Sequence, residues 1–191
     1  MLSLNKVIVV SGVSGSGKTT LVNYLLNRKE FNLEFSISAC SRPQRLSEVA
    51  GKDYIFLSNS EFQKKISQDE FLEWEEVYIN HFYGTLKSSS ERILNSGKNI
   101  LFDVDVKGAL SIKSYFKHRA CTIYVQPPSI AIAKKRLIAR ETESQEDLDH
   151  RIKKMEQEAL YGSHMDCCVI NDDLELAQSA IYNYVKEFLI P

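Results

Sequence analysis

Four short, predominantly apolar runs recur along the chain and are rich in β-branched side chains. Apolar and polar positions do not alternate within them, which is typical of strands that are covered on both faces. The pattern therefore predicts four strands of a parallel sheet. They lie at residues 7–10, 100–104, 121–125 and 167–170.

The segments between these runs have a different period. Their apolar residues recur every three or four positions, as on one face of a helix. Because strand and helix patterns alternate along the chain, we predict an α/β fold. The predicted helices cover residues 19–28, 111–116, 130–138, 148–160 and 174–188.

Residues 35–83 interrupt this rhythm. They combine an alternating stretch at residues 35–38, a polar loop at residues 47–52 and a short helical pattern near residues 61–66. This mixture predicts an inserted subdomain that contains both strands and helices.

Two serine-x-x-acid patterns begin at Ser88 and Ser144, and both are typical of a capped helix start. The second lies within residues 137–149, a polar segment with no apolar periodicity across its middle. We interpret that segment as an exposed cover over a binding site.

Charge and composition narrow the class of protein. The 191 residues include 24 basic and 25 acidic side chains, which leaves a formal net charge of -1. A chain of this length can form one self-sufficient domain, and its balanced charge offers no strong field to a nucleic-acid backbone. The first apolar run is too short for a signal peptide or a membrane span, and the four cysteines lack CxxC spacing. We therefore predict a cytoplasmic chain with neither a nucleic-acid nor a membrane partner.

The clearest chemical motif is Gly-x4-Gly-Lys-Thr at residues 12–19, directly after the first strand pattern and directly before a helix pattern. Its glycines let the backbone curl so that N–H groups point inward. The helix start and Lys18 add positive potential, and Thr19 can place its hydroxyl on Mg²⁺. The motif predicts a loop that binds the phosphate chain of a nucleotide.

A pair of carboxylates follows the second strand pattern, at Asp103 and Asp105. Because the strand is predicted to end in Asp103-Val104-Asp105, alternation places both carboxylates on one face at the carboxyl edge of the sheet, where the phosphate loop also lies. There they could order waters around Mg²⁺ or contact a second substrate.

Arg42 and Arg45 flank a proline in the inserted segment, and their forked donors suit a phosphate group. The same segment carries Gly-Lys-Asp-Tyr at residues 51–54, Phe-Leu-Glu-Trp at residues 71–74 and Phe-Tyr-Gly-Thr at residues 82–85. Together with the phosphate loop, this set resembles guanylate kinase in order and approximate spacing over nearly the whole chain.

The resemblance implies a single domain, residues 1–191, with an α/β fold: a three-layer P-loop NTPase core around a parallel sheet, an inserted mixed α+β GMP-binding subdomain and a small helical lid. It implies that the terminal phosphate of ATP is transferred to GMP, with Mg²⁺ as the cofactor. We expect a monomer or a homodimer. The core would comprise residues 1–34, 98–135 and 152–191, the GMP-binding subdomain residues 35–97 and the lid residues 136–151.

The resemblance also assigns residues to the acceptor. Guanine offers two adjacent donors that one carboxylate can accept together, and hydroxyl groups can donate to its ring acceptors, so the chemistry supports Glu73 most directly. Trp74 is instead expected to pack in the core. The phosphate of GMP is assigned to Arg42, Arg45, Tyr54 and Tyr83, and its base and surroundings to Ser38, Glu73, Thr85, Asp103 and Asp105.

The donor side is assigned in the same way. The catalytic residues implied are Lys18, Arg42 and the lid arginines Arg136, Arg140 and Arg151, which would act as arginine fingers. Thr19 is the implied metal ligand. ATP is assigned to Gly12, Val13, Ser14, Gly15, Ser16, Gly17, Lys18, Thr19, Thr20, Asn171 and Asp172.

Two other functions fit parts of this pattern. A related P-loop kinase could use another small phosphorylated acceptor, although Glu73 with Ser38 and Thr85 favours guanine. A non-catalytic guanylate-kinase-like module could bind a peptide through the inserted subdomain. The intact phosphate loop argues against that second alternative.

Overall fold

The computed structural model describes residues 5–139, 152, 155, 158 and 160–190. Nine strands lie in this part of the chain and form two sheets. The strands are β1 (Val7–Ser11), β2 (Leu33–Phe35), β3 (Ala39–Cys40), β4 (Ile55–Phe56), β5 (Phe71–Tyr78), β6 (His81–Leu86), β7 (Asn99–Asp103), β8 (Ala120–Gln126) and β9 (Cys167–Ile170).

Six α-helices accompany the strands in the described ranges. Ile152, Met155 and Glu158 are also helical. The six are α1 (Lys18–Leu26), α2 (Asn59–Ser67), α3 (Lys87–Asn95), α4 (Val106–Phe116), α5 (Ile130–Ile138) and α6 (Leu174–Leu189).

The larger sheet has five strands in the order β2-β7-β1-β8-β9, and every neighbouring pair is parallel. All five residues of β1 are buried, because β7 and β8 flank it and helices cover both faces of the sheet. Its side chains alternate between two apolar layers. Ile8 and Val10 pack in a cluster with residues of α1 and α6, whereas Val7 and Val9 pack with residues of α3 and α4. The predicted α/β fold with a three-layer core is therefore confirmed.

The smaller sheet has the order β4-β3-β6-β5 and mixes parallel and antiparallel pairs. Its apolar face is closed by α2, whose Phe62 stacks on Phe71 and Phe82 with ring centroids 4.4 and 5.6 Å apart. A capping box begins α2, since Ser58 and Glu61 satisfy each other's backbone N–H groups. The inserted segment thus contains strands and a helix, as its irregular pattern predicts.

Several elements differ from the predicted ones. The strand β2 and the hairpin of β5 and β6 have no counterpart among the predicted strands. β2 is held by pairing with the distant strand β7, and the apolar face of the hairpin is covered by α2. The helix α4 begins five residues before the predicted start at 111, since Asp105 caps it by accepting the Gly108 N–H at 2.7 Å. Ser88 is not a cap, because β6 runs directly into α3 and Leu86 occupies the capping position. The Ser144 pattern and most of the predicted helix 148–160 lie outside the described residues.

Residues 35–97, the predicted GMP-binding subdomain, do not all belong to the smaller sheet. Phe35 pairs with Leu101 in the larger sheet, and Ile93 of α3 packs against that sheet's core. Both lie within residues 35–97.

Residues 140–151 of the predicted lid lie outside the described residues. Among the helices that are described, none combines the length and apolar character needed to cross a bilayer.

Candidate active site

The phosphate-binding motif forms the loop between β1 and α1. Gly15 and Gly17 have φ values of +77° and +91°, a conformation that side chains with a Cβ rarely adopt. The Lys18 ammonium folds back over the loop and donates to the carbonyl oxygens of Gly12 and Val13, at 2.5 and 3.1 Å. The predicted strand-loop-helix context of the motif is therefore present.

Neighbouring elements brace this loop from behind. A Cβ added to Gly15 would collide with the backbone carbonyl of Ala133 in α5, so the loop and α5 are in close contact. The Asn171 side chain is buried at the end of β9 and donates its amide to the Ser16 carbonyl at 2.7 Å. Val13 packs against α5 in its own apolar cluster. The loop is thus preorganised by packing rather than by its own bonds alone.

The loop also holds polar groups that suit a ligand. The hydroxyls of Ser11 and Ser16 are fully buried and have no hydrogen-bond partner among the described residues. Thr19 and Thr20 in the first turn of α1 are exposed. Because buried hydroxyls are normally satisfied, the two orphaned groups point to a polar ligand at this loop.

Asp103 and Asp105 lie between the phosphate loop and the smaller sheet, but they do not share one face of a strand as predicted. β7 ends at Asp103, so strand alternation does not relate the two carboxylates, and that detail of the prediction is wrong. Burial raises the pKa of Asp103, which the nearby charge of Lys18 partly offsets. Asp105 caps α4 and its charge acts on Glu73. The loop at residues 103–105 therefore lies between the phosphate loop and the carboxylate of Glu73.

Glu73 lies on β5, where the residue as a whole is partly exposed but its carboxylate is largely buried. Thr85, directly opposite on β6, donates its hydroxyl to Glu73 Oε1 at 2.5 Å. Burial raises the pKa of Glu73 to about 7, the Thr85 hydrogen bond opposes this rise and the charge of Asp105 adds to it. Trp74, the next residue, faces the other side of the sheet and is 48% exposed, so its predicted place in the core is wrong.

A cationic and aromatic cluster lies around Tyr83, two residue pairs further along the same hairpin. The Nε of Arg42 donates to the Tyr83 hydroxyl at 3.0 Å, and the guanidinium carbon lies 5.0 Å from the centre of the Tyr54 ring. The rings of Tyr54 and Tyr83 meet edge to face at 5.9 Å. Burial raises the pKa of both tyrosines, so their hydroxyls stay protonated and can donate to an anion.

The β5–β6 hairpin therefore carries two chemically different groups: a carboxylate with a hydroxyl at Glu73 and Thr85, and an arginine with two phenols around Tyr83. A family model described as guanylate kinase matches residues 4–188. The chain belongs to the guanylate kinase family.

Relatives in this family align over nearly their full length. The guanylate kinase of Bacteroides fragilis is 50% identical over 184 residues, which cover 96% of this chain and 90% of that protein. The guanylate kinase of Porphyromonas gingivalis is 46% identical over 186 residues, 97% of this chain and 99% of the relative. A crystal structure of guanylate kinase from Anaplasma phagocytophilum superposes with a TM-score of 0.76 at 26% identity, covering 99% of this chain and 88% of that one.

Other residues that the guanylate kinase resemblance singles out are more scattered. Ser38 immediately precedes β3, and its carbonyl accepts the Ile55 N–H at 2.9 Å. Arg45 is exposed beside the Arg42 cluster, and Asp172 is exposed after β9. Arg136 reaches from α5 to the backbone oxygen of Asn171 at 3.3 Å, which places it beside the phosphate loop. Arg140 and Arg151 lie outside the described residues.

Two residues that contact this candidate site escaped the sequence analysis. Glu48 forms an ion pair with Arg42, and Gly108 lies against Glu73. Glu48 is the one acidic residue between Arg42 and Lys52, which is a weak signal in a polar loop. Gly108 carries no signal at all, because its importance comes from a contact between α4 and β5.

Proposed function

We propose that this chain is an ATP:GMP phosphotransferase that moves the terminal phosphate of ATP onto GMP, giving ADP and GDP. The observation that carries the proposal is the buried pair of Glu73 and Thr85, set beside a phosphate loop of the guanylate kinase family. A carboxylate and a hydroxyl in this arrangement match the edge of guanine, and the loop matches the phosphates of ATP.

The two ends of the β5–β6 hairpin would bind different parts of GMP, one the base and the other the phosphate. At one end, the ionised Glu73 would accept from the two adjacent donors of guanine, while Ser38 and Thr85 supply hydroxyls and Asp103 and Asp105 border the base. At the other end, the phosphate of GMP would meet its assigned group of cations and phenols. These are Arg42, Arg45, Tyr54 and Tyr83.

Transfer of the phosphate needs positioning and charge neutralisation more than a general base, because the acceptor phosphate is already a nucleophile. Lys18 supplies positive charge from the phosphate loop, and Arg136 supplies it from α5 beside that loop. We assign Arg140 and Arg151 to the same task. The backbone N–H groups of residues 12–17, together with Asn171 and Asp172, complete the proposed ATP site.

The residues at the loop also fit a magnesium ion. Thr19 presents an exposed hydroxyl directly after Lys18, and oxygen donors of this kind are those that Mg²⁺ prefers, together with nucleotide phosphates and water. When bound, Mg²⁺ would neutralise charge on the outer phosphates. We propose Thr19 as its protein ligand.

The assignment of the subdomains follows from these roles. We propose residues 35–97 as the GMP-binding subdomain, residues 136–151 as the lid and the remaining residues as the ATP-binding core. A cytoplasmic location and a monomeric or homodimeric state stay predictions.

The two alternatives are less well supported. An acceptor without guanine would leave the buried carboxylate of Glu73 facing no pair of donors. A peptide-binding module would have no use for a braced phosphate loop with buried, unpaired hydroxyls.

One coupled assay of ADP release tests the proposed function. The purified protein is given ATP and Mg²⁺ with GMP, AMP, CMP or UMP in turn. We expect rapid ADP formation with GMP alone. Equal rates with all four acceptors would contradict the guanine assignment, and no ADP release with any of them would contradict the kinase assignment.

The raised pKa of Glu73 predicts that guanine binding depends on pH. Only the ionised carboxylate can accept both donors, so below pH 7 the site must first release a proton. We expect the dissociation constant of guanosine, which lacks a titrating phosphate, to be about tenfold higher at pH 6 than at pH 8. Calorimetry at the two pH values measures this, and the Glu73→Gln variant, which cannot titrate, should show no such change.

Gly108 predicts a second, separable effect. A Cβ on this residue would lie 3.0 Å from Glu73 Oε2 and 3.2 Å from Asp105 Oδ1, closer than ordinary contact. Alanine favours a helix over glycine by about 1 kcal/mol, so Gly108→Ala should not lower the melting temperature. It should raise KM for GMP about tenfold by shifting the Glu73 carboxylate, the scale of one weakened charged hydrogen bond. An unchanged KM for GMP would show that the added methyl group does not shift the Glu73 carboxylate.

A further inference from the structure

The Arg42 guanidinium is held by a residue that the proposed function does not use. Glu48 binds both ends of its fork, with Nη2 to Oε1 at 2.5 Å and Nη1 to Oε2 at 2.7 Å. Arg42 also donates from Nη1 to the Pro43 carbonyl and from Nε to Tyr83. Four of its five N–H groups make these bonds, so the plane of the guanidinium is fixed.

Glu48 also closes the loop that carries the second arginine. Its Oε2 accepts the backbone N–H of Arg45 at 2.9 Å, and its own N–H donates to the Arg45 carbonyl at 3.1 Å. The Glu48 carbonyl in turn accepts from Gln44 Nε2 at 2.6 Å. One carboxylate therefore sets the direction of the Arg42 side chain and the path of the backbone at Arg45.

The contact with Tyr83 extends this effect to a hydroxyl. Because Tyr83 Oη accepts the Nε–H of Arg42, its own hydrogen must point elsewhere. A phosphate between Tyr54 and Tyr83 is an acceptor for that hydrogen. Glu48 would thus orient Arg42, and Arg42 would orient the hydroxyl of Tyr83.

A competing role for Glu48 is that of a temporary occupant, which the phosphate of GMP expels from the arginine fork. Three features oppose it. The Glu48 side chain is only 13% exposed and makes three hydrogen bonds that expulsion would break. Arg42 holds the pKa of Glu48 at about 2, so the carboxylate is charged near neutral pH. Expulsion would therefore break a charge-assisted bond at two points rather than a contact with a neutral group.

We infer that Glu48 is a positioning residue for the acceptor phosphate: it stays in place when GMP binds and orients Arg42, Tyr83 and the Arg45 loop toward that phosphate. The inference rests on the proposed function, since it names a residue that prepares the GMP phosphate site. It assigns no contact between Glu48 and the nucleotide itself.

The test replaces one carboxylate oxygen with an amide, in Glu48→Gln. The amide NH₂ cannot accept from the guanidinium, so the two-point bond to Arg42 is lost while the size of the side chain is kept. We expect KM and the dissociation constant for GMP to rise about tenfold or more, the scale of a charged hydrogen bond. KM for ATP and the dissociation constant of guanosine, which lacks the phosphate, should change less than about twofold because neither ligand touches this cluster.

A matched control distinguishes orientation of the arginine from general stiffness of the loop. Asp53 holds the same loop by accepting the Val49 N–H at 2.7 Å, through a backbone amide rather than an arginine. Asp53→Ala, which removes this acceptor, should leave GMP binding near the wild-type value. An equal loss in both variants would overturn the inference, because loop order alone would then explain it.

The remaining outcomes are equally decisive. Tighter GMP binding by Glu48→Gln would show that Glu48 competes with the phosphate, and unchanged binding would show that it has no role; either result overturns the inference. If the glutamine variant does not fold, Glu48→Asp keeps the charge but is one methylene shorter, and it should weaken GMP binding while leaving guanosine binding unchanged. Wild-type protein without GMP kinase activity would contradict the proposed function instead, so the two failures remain distinct.

Discussion

Replacing Lys18 with methionine is expected to lower turnover at least about 100-fold, the cost of removing one strong preorganised electrostatic contact. The methionine keeps most of the bulk of the side chain but removes the charge that would follow the phosphate during transfer. Lys18 lies over the phosphate loop, where it donates to Gly12 and Val13, and Asp103 lies close enough to be affected by its charge. Steady-state turnover with ATP and GMP measures the effect.

The control for this substitution is Lys29→Met, which removes an exposed lysine of the turn that follows α1. It should keep wild-type turnover, and circular dichroism should show that both variants are folded. Wild-type turnover in Lys18→Met would remove the phosphate loop from the catalytic proposal, whatever the family of the chain.

Glu73 carries the expected preference for guanine. Adenine presents a ring acceptor where guanine presents a ring donor, so it would leave the buried carboxylate unpaired and repelled. We therefore expect kcat/KM for GMP to exceed that for AMP by at least about 1,000-fold, as when a site built for hydrogen bonds meets an analogue that lacks them. Glu73→Ala should lower kcat/KM for GMP by roughly 100-fold or more and barely change the affinity for ATP.

The measurement is kcat/KM for GMP and AMP with both proteins. Glu91→Ala, which removes an exposed carboxylate of α3, is the matched control and should keep the wild-type preference. If Glu73→Ala keeps that preference as well, Glu73 does not read the base. The proposed specificity would then rest on family membership alone.

How far the sequence could predict the site depended on whether the chemistry was local. The phosphate loop was predictable in full, because its glycines, its lysine and its flanking strand and helix are contiguous in the chain. Arg42 and Tyr83 could be named only through their order in a known family. That Arg42 donates to Tyr83, 41 positions away in the chain, required the pairing of β3 with β6.

Electrostatic properties could not be predicted from the sequence. Glu73 is one of three glutamates between residues 73 and 76 on β5, and nothing in the sequence distinguishes it from Glu75 and Glu76. Its pKa of about 7 arises from burial and from Asp105, which the packing of α4 against β5 brings near. Glu48 likewise looked like an ordinary loop carboxylate until the fold placed Arg42 against it.

The sequence by itself determined the α/β class, the phosphate loop and the presence of an irregular insertion, because apolar periodicity and glycine geometry are properties of neighbouring residues. The tertiary structure decided which strands pair across the insertion, where α4 begins, and which carboxylates are buried or matched with arginine. Those features depend on contacts between segments far apart in the chain, such as Glu73 with Thr85 and Gly108 with Glu73. No local pattern encodes such contacts, because their energy arises only when the separate elements have packed together.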